Sequence, residues 1–188
     1  VLAIDDAQLA ATLNFLKSSL RKSPSKVWLS DADTPEAVKN DTVAGSALLL
    51  ASLSSQAKLS LEDVELAKGL AQTLWDAIDQ HGRVRCFIHG EGQAANDEPY
   101  QDYIAGQTLL ALALAVQADF TQIEHHKFSK ALSYYQHRCQ YKRRADLVSW
   151  MVQGLGACWQ LEKSPDLAAS IFDLVDWVLH YQSQLDGG

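Results

Sequence analysis

The amino-acid sequence predicts an all-α fold of antiparallel helical hairpins, arranged as an α/α toroid or part of one. Three observations carry this. Apolar residues recur at three- and four-residue steps through seven segments. Two of those segments are apolar on every side. A stretch in the middle of the chain also repeats an earlier one: Asp41-Thr42-Val43-Ala44-Gly45 through Leu49 lies over Asp102-Tyr103-Ile104-Ala105-Gly106 through Leu110, 61 positions on.

In chain order, a first helix is expected over 6–20, because Asp6-Ala7-Gln8-Leu9-Ala10 matches Asp63-Val64-Glu65-Leu66-Ala67 at a spacing of 57. The same spacing sets Val27 on Val84 and Leu29 on Cys86. These residues belong to short extended pieces, Lys26 to Leu29 and Arg83 to Ile88, inside the long loops 21–41 and 81–101. Helices 42–57 and 103–118 hold the apolar strings Ala44 to Leu53 and Ala105 to Ala118. A helix without a polar face is buried on all sides. Helix 61–80 carries Val64, Ala67, Ala71, Leu74 and Ile78 on one stripe and starts at a Ser60/Asp63 capping box. Helices 122–139 and 146–162 follow with the same periodicity. Helix 165–182 begins with Pro at its first position after Ser164, and its stripe is Leu167, Ile171, Leu174, Val178 and Tyr181. Asp41 and Asp102, just ahead of the apolar helices, read as N-caps.

The chain of 188 residues is long enough for one domain with a core. It starts at Val1 and ends on Asp186-Gly187-Gly188, a turn sequence, so residues 1–188 read as a single repeat domain cut from a longer polypeptide. Net charge is −7, and the only basic run is Lys142-Arg143-Arg144, which argues against nucleic acid and against an anionic membrane surface. No apolar run approaches the ~20 residues of a membrane span. Cys86, Cys139 and Cys158 are odd in number and widely spaced, and no histidine stands at ligand spacing. The expectation is free thiols in a reducing, cytoplasmic compartment, with no metal and no cofactor.

Asp102 to Ala113, with its partner Lys130-Ala131-Leu132-Ser133-Tyr134-Tyr135, resembles one hairpin of the six-hairpin α/α toroids. The ending Trp177 to Gln182, then Asp186-Gly187-Gly188, is similar to the Gln…Asp-Gly-Gly turn of toroidal terpene cyclases and prenyltransferases. That superfamily houses glycosidases, lyases, epimerases and non-enzymes, so the resemblance implies architecture and leaves the activity open. The zinc-binding Cys-His-Gly of lanthionine cyclases and the Asp-rich motifs of terpene enzymes are absent. Seven helices make three and a half hairpins, so a closed ring needs more sequence or a second chain.

Segment 86–102 concentrates His89, Glu91, Asp97, Glu98, Tyr100 and Asp102. Paired carboxylates beside an aromatic platform are what glycoside hydrolysis requires. Glu91, Asp97, Glu98 and Asp102 are therefore the candidate catalytic residues, and Trp28, Trp150 and Tyr100 the candidate ligand-binding platforms. The plainer reading is a solvated acidic loop turned by Gly and Pro. Two functions stand side by side. One is a carbohydrate-active domain, or one binding another polar small molecule at the rim formed by the two long loops. The other is a non-catalytic helical-repeat module that faces another domain of the same protein. Whether the chain is an enzyme stays open at this level.

Overall fold

The structure is a computed structural model that describes residues 6–30, 41–89, 97–144 and 148–185, with side chains described from residue 11 to residue 182. Within them the chain is mostly helical, as its periodicity predicts. The elements are α1 (Asp6–Ser18), β1 (Leu20–Lys22), β2 (Val27–Leu29), α2 (Val43–Ser54), α3 (Leu61–Ala77), α4 (Ile104–Gln117), α5 (His125–Tyr141), α6 (Val148–Glu162) and α7 (Pro165–Leu185), with a 3-10 turn at Glu98–Tyr100.

Helix ends follow local chemistry. The Ser60 hydroxyl accepts from the Asp63 amide at 3.1 Å, and Glu62 and Asp63 place negative charge on the first turn of α3, where the helix dipole favours it. α4 stops where Asp119 takes φ 58°, and the Phe120 amide reaches back to the Ala115 carbonyl at 2.9 Å. α7 starts on Pro165, with the Ser164 hydroxyl accepting from the Leu167 amide at 3.4 Å.

The two apolar helices are the buried ones. In α4, ten of fourteen residues are buried, and α2 buries Val43, Ser46, Ala47, Leu49, Leu50 and Leu53. α4 packs between α2 and α6; α3 covers α2 and α4, and α7 lies on α6 and α5. α5 meets α3 through the Trp75–Phe128 edge contact and through Lys127, whose ammonium donates to the Trp75 carbonyl at 3.0 Å. The contact between α4 and α6 is close enough to exclude side chains. A Cβ placed on Gly106 would lie 2.5 Å from the Trp150 carbonyl oxygen, and one on Gly154 would lie 2.5 Å from the Gly106 carbonyl oxygen.

Two readings change. β1 occupies residues expected at the end of the first helix or in the loop after it. It pairs antiparallel with β2, Leu20 opposite Leu29 and Lys22 opposite Val27. The second extended piece forms no strand, only isolated bridges from Val84 to Ile78 and from Phe87 to Thr42. Asp41 and Asp102 are not caps. Thr42 and Tyr103 precede α2 and α4, and neither forms a side-chain cap bond. Both aspartates are spent on partners far away in the chain, described next. No helix among the described residues is long and apolar enough to cross a membrane.

Candidate functional site

The two long loops meet beside the start of α2. The Val43 amide donates to the Cys86 carbonyl at 2.9 Å and the Ile88 amide to the Asp41 carbonyl at 2.8 Å. The Lys26 ammonium donates to the Ile88 carbonyl at 3.3 Å. The Trp28 indole N–H donates to Asp41 Oδ2 at 2.8 Å, and the Trp28 ring meets His89 edge-on with centroids 5.0 Å apart. Asp41 is 2% exposed, and its Oδ1 has no hydrogen-bond partner among the described residues.

Each extended piece is gripped by a hydroxyl from a helix behind it. The Thr73 hydroxyl on α3 accepts from the Val27 amide at 3.2 Å and donates to the Val27 carbonyl at 2.8 Å. The Tyr135 hydroxyl on α5 accepts from the Val84 amide at 3.0 Å and donates to Gln101 Oε1 at 2.5 Å. Gln101 in turn donates from Nε2 to the Val84 carbonyl at 2.7 Å. Buried backbone groups on a non-helical stretch need such partners, because water does not reach them. Burial pushes the Tyr135 phenol well above its ordinary value, so it stays a neutral donor.

The acids of segment 97–102 turn inward or pair. Asp97 is 4% exposed and accepts from the Cys86 amide at 3.3 Å; burial raises its pKa. Arg138, on the buried stripe of α5, donates to Glu98 at 2.8 Å and to Asp102 at 2.6 Å. Lys142 adds a bond to Glu98, and Arg83 lies 3.9 Å from its other oxygen. Hydrogen bonds from Lys142 and then Arg138 hold Glu98 down at about 2. Burial opposes the charge on Arg138, but its bonds to Glu98 and Asp102 outweigh that and raise its pKa.

These contacts revise the sequence-level site. Glu98 and Asp102 are braces between the 3-10 turn and α5, and a carboxyl held at about 2 is no proton donor at neutral pH. Asp97 is buried against the backbone. Trp28, expected as an open platform, is 5% exposed and turns its N–H into the protein. Tyr100 is half-buried, its ring edge-on to Phe87 at 5.2 Å. Trp150 is half-buried on α6, where its backbone meets Gly106. Glu91 lies outside the described residues. Sequence reasoning missed Arg138, Tyr135 and Gln101. Arg138 did leave a signal: it continues the apolar stripe Phe128, Ala131, Leu132, Tyr135, and an arginine on a buried face requires an acid opposite.

All three cysteines are free and buried. Burial raises the Cys86 thiol to about 12, with Asp97 adding to it, and the Cys139 thiol to about 11; Cys158 is raised further. Among the described residues no three His, Cys, Asp or Glu side chains gather as metal ligands. No family model, curated protein or solved structure matches the chain.

Proposed function

We propose that the chain is a non-catalytic helical-repeat module, an open arc of helix pairs that offers a surface to another polypeptide. The observation that carries this reading is Arg138 bound to both Glu98 and Asp102. The described acids that sequence marks for sugar chemistry are committed to holding backbone and helix together. Glycoside hydrolysis needs an acid whose pKa is raised and a second carboxylate, both facing an open substrate. Glu98 has the opposite shift, and Asp97 is enclosed.

The arc is supported by the row α2, α4, α6, with α3 packed on α2 and α4 and with α7 packed on α6 and α5. It is supported too by the matched hydroxyl grips on Val27 and Val84, residues that the repeat spacing makes equivalent. The test compares Glu98→Gln, Asp102→Asn and Asp97→Asn with the unaltered chain in thermal melts and in turnover of a panel of aryl glycosides and polysaccharides. The module reading expects shifted melting temperatures for the braces and no turnover by any variant or by the parent. Turnover by the parent that vanishes in one of these variants, at an unchanged melting temperature, would overturn it.

A further inference from the structure

A cleft of about 770 Å³ opens between the β1–β2 hairpin and the first half of α3, with Leu20, Val27 and Leu66 among its apolar lining. Three successive residues of β1, Leu20, Arg21 and Lys22, line it. Successive side chains of a strand point to opposite faces, so a surface touched by all three follows the strand's edge.

Among the described residues that edge is unpaired, since the sheet there has two strands and β1 neighbours β2. The pairing phase shows which backbone groups are free. The Thr73 hydroxyl takes the amide and carbonyl of Val27, and the Ser46 hydroxyl takes the Leu29 amide at 3.0 Å. Those groups therefore point away from β1. In an antiparallel ladder, directly opposed residues point their backbone groups the same way, both toward each other or both outward. Lys22 and Leu20, opposite Val27 and Leu29, thus turn their N–H and C=O groups outward on the free side of β1.

The cleft is also charged in a pattern. Lys17, Arg21, Lys22 and Lys26 line the hairpin side, in a chain of net charge −7. Lys17 pairs with Asp63 and Lys26 donates to the Ile88 carbonyl, while Arg21 and Lys22 have no partner among the described residues. Glu62 and Glu65 stand on the α3 side, Glu65 paired with Lys68.

We propose that the free edge of β1 is a strand-addition site for an extended peptide segment with acidic side chains. This rests on the module reading above. Added backbone would bond to Leu20 and Lys22. The period of two then sorts the peptide's side chains onto two faces: acids on the face of Arg21, and apolar groups on the opposite face, which carries Leu20 and Lys22 and turns toward Leu66 on α3.

The test uses the full chain and a fluorescein-labelled peptide of alternating Glu and Val. Controls are the Lys-Val counterpart and a Glu-Val peptide N-methylated at alternate amides. Fluorescence anisotropy should report binding of the Glu-Val peptide that weakens with added salt, with no binding of the Lys-Val peptide and weaker binding of the methylated one. The double variant Arg21→Glu, Lys22→Glu should lose about tenfold or more in affinity at an unchanged melting temperature. Amide NMR shifts should centre on Leu20 and Lys22. Absence of binding, equal binding by the double variant, or full binding of the methylated peptide would overturn the site. So would edge-to-edge dimers of the chain in sedimentation, or displacement of the peptide by single-stranded DNA with higher affinity. If the peptide fails while the brace variants behave as above, strand addition falls and the module reading stands.

Discussion

Gly106 on α4 and Gly154 on α6 face each other across a helix crossing so close that a Cβ on Gly154 would sit 2.5 Å from the Gly106 carbonyl oxygen. Neither neighbour is a flexible side-chain tip, so neither yields cheaply. Gly106→Ala and Gly154→Ala should each destabilise by about 1–3 kcal/mol in urea unfolding, because the helices must part to admit the methyl. Gly156, two residues along α6, meets nothing within 4 Å of a built Cβ. Gly156→Ala should stabilise by about 0.5–1 kcal/mol, through helix propensity alone. Equal effects at 154 and 156 would contradict the close crossing.

Arg138→Met removes one cation from two carboxylates. Its own side chain is 7% exposed, against 16% for Asp102 and 43% for Glu98. Breaking a buried pair from one side costs about 3–5 kcal/mol, and the solvent around Glu98 reduces this to about 2–3 kcal/mol. Adding Asp102→Asn and Glu98→Gln to that variant should recover part of the loss, measurable as a non-additive cycle in chemical denaturation.

The acid limb of the stability profile carries Glu98's signature. Its pKa falls from 4.5 to about 2, first through Lys142 and then through Arg138. The unfolded chain takes up the proton before the folded one. The contribution is therefore whole above about pH 4.5 and fades as pH drops toward 2. Glu98→Gln should flatten that slope in melts between pH 5 and pH 2 (about the window of the shift). Asp97 has the opposite sign. Burial raises its pKa, so its contribution is present below its ordinary 3.8 and is lost as pH rises through the folded value. Asp97→Asn, still able to accept from the Cys86 amide, should hold or gain stability at neutral pH. A large loss there would refute the burial argument.

Tyr135→Phe strands the Val84 amide and Gln101 Oε1 in the core and should cost about 1–3 kcal/mol. Thr73→Val does the same to Val27, at a less enclosed position, and should cost less. Hydrogen exchange is the finer readout: the Val84 amide should lose protection in the tyrosine variant and the Val27 amide in the threonine variant, each without the other.

The thiols should be silent in the folded chain. With Cys86 and Cys139 raised to about 12 and 11 and Cys158 further still, thiolate is scarce at pH 8 and access is closed. Ellman's reagent should react slowly with native protein and rapidly, at all three thiols, in denaturant. Fast labelling of Cys86 in native protein would mean that the loop above it opens readily.

What sequence reveals and what it hides divide by range. The seven helices, the Ser60 cap and the burial of α2 and α4 follow from neighbours a few residues apart, and periodicity reports those. Asp41 and Asp102 misled because a local rule, N-capping, fits their positions, while their real partners, Trp28 and Arg138, stand 13 and 36 residues away. A pairing at that distance leaves no spacing to read. β1 was hidden for a related reason: Leu20 sits where a helical stripe would also put it. Trp28 looked exposed because long loops usually are; a second loop folding over it is a tertiary event.

The bonds from Val43 to Cys86 and from Ile88 to Asp41 tie the beginning of α2 to a loop more than forty residues later. The segments before and after the α2–α3 connection are thus interlocked rather than strung like beads. Excising the first 57 residues would take away α2 and leave the 86–88 stretch with severed main-chain bonds, and the excised piece would carry α2 with its apolar surface uncovered. Neither half is a separable building block. Two co-expressed fragments, cut in the α2–α3 connection, should recover native structure only when both are present.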